Sequence, residues 1–313
     1  MTERRPPLTA ADFDPEVLGL FDKYVHGAID RRGFLDGAAK FAVGGVTAAG
    51  LLAALSPRFA AAEQVGKADP RIRAVTVEFP SPQGYGTGRG YLVRPAAGDP
   101  AAGGAPSATA ASRGLPLVLV VHEGRGLNPH IEDIARRLAV DGFIAFAPDA
   151  LFPLGGYPGD EDKAREMFGR LDMAKTLEDM VAAAAWLEGV PGGNGKVGAV
   201  GFCWGGSIVN RLAERVPQLG AAVAFYGEAP PLDQVAAIRA PLLLMFADSD
   251  ERTNAAWPPY EAALKAAGKR FEAYRYAGTQ HGFNNDTTPR FDAASAQLAW
   301  QRTVAFFRRN LVA

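Results

Sequence analysis

The chain holds one cysteine in 313 residues, within Gly201-Phe202-Cys203-Trp204-Gly205-Gly206. The apolar run Lys196-Val197-Gly198-Ala199-Val200 precedes it, and Ser207-Ile208-Val209-Asn210-Arg211-Leu212-Ala213, with helical spacing, follows. Strand, glycine-flanked tight turn and helix make a nucleophile elbow. Its central residue is held in a backbone conformation that only small neighbours tolerate, so the side chain stands above the sheet. The alternative for Cys203 is a small buried hydrophobe, the usual fate of an unpaired cysteine. A thiol at its ordinary pKa is only slightly ionised at neutral pH, so a nucleophilic role needs an adjacent base. His281, in Gly278-Thr279-Gln280-His281-Gly282-Phe283, can accept that proton. Asp250, in Ala247-Asp248-Ser249-Asp250, can fix the imidazole tautomer and stabilise the imidazolium. Asp248 is its rival. Asp250 is preferred because it lies farther past the apolar run Pro241–Phe246, which leaves Asp248 and Glu251 to solvent. For His281 the alternative is an exposed loop histidine.

A second chemical cluster, His122-Glu123-Gly124-Arg125-Gly126, follows the apolar run Leu115–Val121. Backbone N–H groups of Gly124 and Trp204 are candidates to face a developing oxyanion. No second histidine lies four residues from His122 on a helix, so no zinc motif is spelled there, and His130 reads as a helix start. The glycines around Cys203 do not form a dinucleotide fingerprint. Ser207, a rival nucleophile, falls inside the following helix. One cysteine excludes an intramolecular disulfide and, by count, a cysteine-based zinc or iron–sulfur site, so neither metal nor other cofactor is expected. A formal net charge of −1 gives no electrostatic reason for a nucleic-acid or anionic-membrane partner.

These groups need elements to position them, and the chain alternates strands with helices. Ala74–Phe79 and Gly88–Val93 read as antiparallel strands joined by Ser81-Pro82-Gln83-Gly84. Leu115–Val121 has the continuous apolar character of a central parallel strand. Further strands are expected at Phe143–Ala147, at the elbow, at Ala221–Tyr226, Pro241–Phe246 and Arg270–Tyr276. Helices are expected at Pro129–Asp141, Ala174–Glu188, Tyr260–Ala267 and Phe291–Asn310. This order predicts an α/β fold, a doubly wound and mainly parallel sheet flanked by helices. The Ala/Gly/Pro/Ser-rich stretch 96–114 reads as a disordered surface loop within one domain, 63–313.

Residues 1–62 form a separate N-terminal segment. Asp30-Arg31-Arg32-Gly33-Phe34-Leu35-Asp36 resembles a twin-arginine export motif, and Ala60 and Ala62 fit a small-residue cleavage site. On that reading the protein is periplasmic or exported. The apolar run between them is too short and too glycine-rich for a stable membrane span. The alternative is a cytoplasmic protein that keeps an amphipathic helix pair, Pro15–Gly27 and Arg32–Leu55.

From about Ile72 to Leu311 the chain resembles the dienelactone hydrolase family, a branch of the α/β-hydrolases with a cysteine nucleophile. The matching residues are the elbow, His122-Glu123, Ala147-Pro148-Asp149, Asp250 and His281-Gly282-Phe283. Nucleophile, acid and histidine also follow in the chain order of α/β-hydrolases. Gly124–Asp133 resembles a subgroup of exported relatives. The resemblance implies an α/β-hydrolase fold and cleavage of a small ester or lactone through a Cys203 thioester. Within it, Glu123 keeps the resting thiol protonated until substrate binds; the alternative for Glu123 is a loop carboxylate paired with Arg125. Arginines that would grip a substrate carboxylate are not placed by the match, although Arg125, Arg165, Arg170 and Arg290 are available. A binding protein built on a hydrolase scaffold, with the N-terminal segment as a partner-binding helix, is the rival function. No residue pattern assigns an oligomeric state.

Overall fold

Leu115–Val121 is buried from Pro116 onward, as a strand covered on both faces must be. The structure is a computed structural model that describes residues 8–96 and 114–312. Most of the stretch expected to be a disordered loop, 96–114, lies outside the described residues.

The N-terminal segment holds α1 (Pro15–Val25), α2 (Arg31–Ala38), α3 (Ala48–Leu55) and α4 (Phe59–Ala62). Then come β1 (Ile72–Ser81), β2 (Gly86–Pro95), β3 (Leu115–Val121), α5 (Pro129–Val140), β4 (Ile144–Pro148), α6 (Glu161–Phe168) and α7 (Met173–Glu188). The chain continues through β5 (Gly193–Phe202), α8 (Trp204–Arg215), β6 (Ala221–Phe225), β7 (Leu242–Ser249), α9 (Glu251–Ala266), β8 (Phe271–Gln280) and α10 (Ala293–Leu311). The strands form one sheet in the order β1-β2-β4-β3-β5-β6-β7-β8. β1 and β2 pair antiparallel, β2 joins β4 antiparallel, and the rest are parallel.

Successive strand residues feed opposite faces. Leu117, Leu119 and Val121 pack with Met180 and Leu187 of α7 and with Val209 and Leu212 of α8. Val118 and Val120 pack with Ile131 and Leu138 of α5 and with Phe307 of α10. Each face of β3 therefore has its own helix layer, and the carboxyl ends of the parallel strands share one rim.

Two elements depart from expectation. α9 starts at Glu251 rather than Tyr260 and carries Pro258 and Pro259 inside it. Both prolines are exposed, so the carbonyls they leave unbonded one turn back can turn to water. α6 is a second departure, because the glycines and prolines before it read as loop. Asp160 starts it by accepting the Lys163 N–H at 2.8 Å.

The expected Arg32–Leu55 helix is two helices, parted at Gly44 and Gly45, whose φ angles of 62° and 88° stop a right-handed helix. A third apolar cluster gathers Val17, Leu18, Phe21 and Tyr24 of α1 with Phe34 of α2 and Leu52 of α3. Polar contacts dock this cluster on the sheet domain. Arg165 of α6 donates to the Tyr24 carbonyl at 2.9 Å and lies 4.4 Å over its ring. Arg125 donates to the Val25 carbonyl at 3.3 Å, and the Arg58 amide to the Thr287 carbonyl at 2.8 Å. Among the described residues no helix is long and apolar enough to cross a membrane.

Candidate active site

β5 ends at Phe202 and α8 begins at Trp204, so Cys203 alone makes the turn, at φ 56° and ψ −118°. A side-chain residue at positive φ is costly and persists only where its surroundings enforce it. Here close packing does so. A Cβ on Gly201 would sit 2.1 Å from the Gly205 carbonyl oxygen, and one on Gly205 would sit 2.2 Å from that of Val121. Only glycine lets the elbow close onto β3.

The other chemical groups follow neighbouring strands. His281 comes just after β8, and Asp250 just after β7, where it caps α9. Asp250 Oδ2 lies 2.6 Å from His281 Nδ1, and both residues are buried. Asp248 belongs to β7 and faces elsewhere: it pairs with Arg275 at 2.9 Å and accepts the Gly278 N–H at 3.1 Å.

The thiol has a second imidazole beside it, one the sequence did not single out. His26 caps the C-terminus of α1, and its Nε2 lies 3.4 Å from Cys203 Sγ and 3.2 Å from His281 Nε2. The two rings meet edge to face, with centroids 4.6 Å apart. His26 Nδ1 donates to the Asp22 carbonyl at 2.8 Å and lies 3.3 Å from the Asp22 carboxylate. Asp22-x-x-x-His26 at helical spacing was the available signal, and a reading of the segment as export leader passes over it.

The electrostatics follow from this packing. Burial pushes the Cys203 thiol up, but His281 and His26 outweigh it and bring it down to about 6. Burial works against a charged His26, yet Asp22 and Cys203 raise it to about 10. His281 is likewise raised despite burial, by Cys203 and Asp250. Asp22 is held low against burial by His26, His281 and Arg290. The arrangement favours a thiolate facing protonated imidazole.

Glu123 turns its carboxylate to Asn285, which donates to Oε2 at 3.1 Å, while the thiol's hydrogen bond runs to His26. His122 is buried, and burial pulls its pKa down. Its Nε2 accepts the Ala150 N–H at 3.0 Å, so its Nδ1 donates to the Glu123 carbonyl and braces that loop. Asp149 braces the same loop from the other side by accepting the Leu127 and Leu151 amides at 3.2 and 3.0 Å. As the first residue of α8, Trp204 has an amide with no intrahelical acceptor. His130 starts α5, as expected, with Nδ1 3.3 Å from Asp286. Tyr226, at φ 39°, lays its ring 4.8 Å from that of His281 and buries a hydroxyl that has no hydrogen-bond partner among the described residues.

Cys203, His281, Glu123, Gly124, Trp204 and His26 line one cavity of about 900 Å³. Of the arginines considered, Arg125, Arg165 and Arg290 also border it, and Arg170 does not. All three meet the N-terminal segment: Arg125 and Arg165 at backbone carbonyls, Arg290 at Asp22, 3.5 Å away. A count of cysteines takes no account of imidazole donors from elsewhere in the chain. One thiol and two imidazoles converge, with donor atoms all within 4.8 Å of one another.

Residues 104–311 match the sequence model described as the dienelactone hydrolase family, and residues 5–42 match a second one described as YqhI-like. A protein of Escherichia coli strain K12 named "Putative carboxymethylenebutenolidase" is 34% identical over 209 residues, 62% of this chain and 77% of its own. The "Putative hydrolase fragment YghX" of the same strain is 48% identical over 127 residues, 41% of this chain and 97% of its own. The crystal structure of a "Putative Dienelactone Hydrolase" from Klebsiella pneumoniae subsp. pneumoniae MGH 78578 has 30% identity and a TM-score of 0.62. It covers 76% of this chain and 99% of that one.

Proposed function

The chain belongs to the dienelactone hydrolase family, and from there we propose that it cleaves a small ester or lactone through a thioester on Cys203. The observation that carries this is the thiol on its strained elbow beside the His281–Asp250 pair, 2.6 Å apart. The Cys203 thiolate adds to the substrate carbonyl carbon, and the amides of Trp204 and Gly124 receive the developing oxyanion. Collapse expels the alkoxide, which takes its proton from His281 Nε2. In a lactone the leaving oxygen stays tethered to the acyl group. His281 then removes a proton from water, the hydroxide attacks the thioester carbonyl, and the second collapse returns the acid and the thiolate. Asp250 keeps the Nδ1 proton in place throughout.

The gating assigned to Glu123 by the family resemblance takes a different form in this proposal. Because His26 already holds the thiol's hydrogen bond, the resting nucleophile is an ion pair, and Glu123, anchored by Asn285, shapes the wall beside it.

A panel of small esters and lactones, turned over by wild type and by Cys203→Ala, tests the reading. Wild type is expected to show an acyl adduct by mass spectrometry, and Cys203→Ala to lose about 10⁴-fold or more in kcat. Equal turnover by the two proteins would remove Cys203 as nucleophile.

A further inference from the structure

His26, Cys203 and His281 present a donor set that the hydrolytic mechanism does not need in full. Each imidazole is oriented by an acceptor on its far nitrogen. His26 Nδ1 meets the Asp22 carbonyl at 2.8 Å, and His281 Nδ1 meets Asp250 at 2.6 Å. In the neutral rings, with the Nδ1 positions carrying the protons, both Nε2 atoms would turn lone pairs toward each other across 3.2 Å. Two facing lone pairs repel, so the arrangement calls for a cation between them. A proton is one answer and a metal ion the other.

The spacing suits the metal as well as the proton, with all three donor atoms within 4.8 Å of one another. A tetrahedral zinc ion, with Zn–N about 2.0–2.1 Å and Zn–S about 2.3 Å, sets neighbouring donors about 3.3 Å (N to N) and about 3.6 Å (N to S) apart. The corresponding separations here are 3.2 Å between the imidazoles and 3.4 Å from His26 Nε2 to Cys203 Sγ. A hydrogen-bond acceptor behind each histidine is the outer support that metal-binding imidazoles use. Three protein ligands beside a cavity leave the fourth position for water or a small ligand.

We propose that Cys203, His26 and His281 form a binding site for a borderline-soft divalent cation of the zinc class, assembled only when the N-terminal segment is docked. Binding forms one S–metal and two N–metal bonds. It releases to solvent the protons carried by the thiol–imidazole cluster, and no electron is transferred. In the occupied state the lone pairs of the nucleophile and of its base are both committed, so the hydrolase is silent until the ion leaves. The site itself does not depend on the hydrolase reading, because its occupancy can be read without substrate.

Cobalt(II) is the probe, added to the full-length protein without substrate. One equivalent is expected to give a thiolate-to-cobalt charge-transfer band in the near ultraviolet, with visible bands of tetrahedral intensity, and zinc should displace it. His26→Gln should bind at least about 100-fold more weakly. X-ray absorption of the zinc-loaded wild type, which needs no variant to fold, should find one sulfur and two imidazoles at the ion. The proposal is overturned by absence of the charge-transfer band, by an unchanged band in His26→Gln, or by a zinc environment lacking the sulfur or either imidazole. Loss of ester turnover on zinc binding is scored separately. Metal-free protein that turns over no ester, yet binds cobalt with the expected spectrum, would count against the catalytic reading alone.

Discussion

A thiol between two imidazoles should behave differently from an ordinary cysteine. Burial alone would raise its pKa, but His281 and His26 bring it to about 6. The thiolate is therefore lost as pH falls through that value and is nearly complete at neutrality. Alkylation by iodoacetamide is expected to accelerate through about pH 6 in wild type, and His26→Gln should move that midpoint upward. A midpoint near the ordinary value in wild type would separate the thiol from its imidazoles. On the proposed mechanism Asp250→Asn should cost about 10⁴-fold in kcat, as loss of the correct tautomer does in catalytic triads. Asp248→Asn should cost far less, since Asp248 is occupied by Arg275, and a larger loss there would relocate the acid. Cys203, Asp250 and His281 were legible in the sequence because strand ends in a parallel sheet announce themselves by apolar runs. His26 was not, because neither α1 nor its composition says where the helix docks.

The elements that aim these residues were largely readable, since the two-faced burial of β3 to β7 leaves continuous apolar runs. What was lost lay where local chemistry misleads. Pro258 and Pro259 hid the first half of α9, and the glycines before Asp160 hid α6, whose Arg165 then turned out to hold the Tyr24 carbonyl. The elbow's dependence on glycine gives the sharpest test at this scale. In Gly205→Ala the new methyl would meet the carbonyl oxygens of Val121 and His122 at 2.2 and 2.6 Å, both backbone atoms that cannot swing away. The variant should lose about 1–3 kcal/mol or more of stability, read as a fall in melting temperature, together with most of its thiol reactivity. Full activity would mean that the elbow closes differently.

At the scale of the molecule, the N-terminal segment completes the site. Removal after Ala62 would take away His26 along with α1 to α4, so the purified active protein is expected to retain residues 1–62 by intact mass. Phe34, fully buried in the third cluster, anchors that unit. Phe34→Ala should cost the cluster about 3–5 kcal/mol. Hydrogen exchange is expected to show α1 and α2 losing protection while the sheet keeps its own. The composition of the segment suits either a leader or a helix pair. Its position in the chain has one more effect. His26 is separated from Cys203 by 177 residues and from His281 by 255, so these contacts close some of the longest loops available to this polypeptide. Such closures carry a larger entropic cost than short ones, because that cost grows, slowly, with the length of the loop. During synthesis His26 emerges ahead of both Cys203 and His281 and must wait for them. The imidazole of α1 can therefore meet the sulfur of the elbow only after another 177 residues have been made.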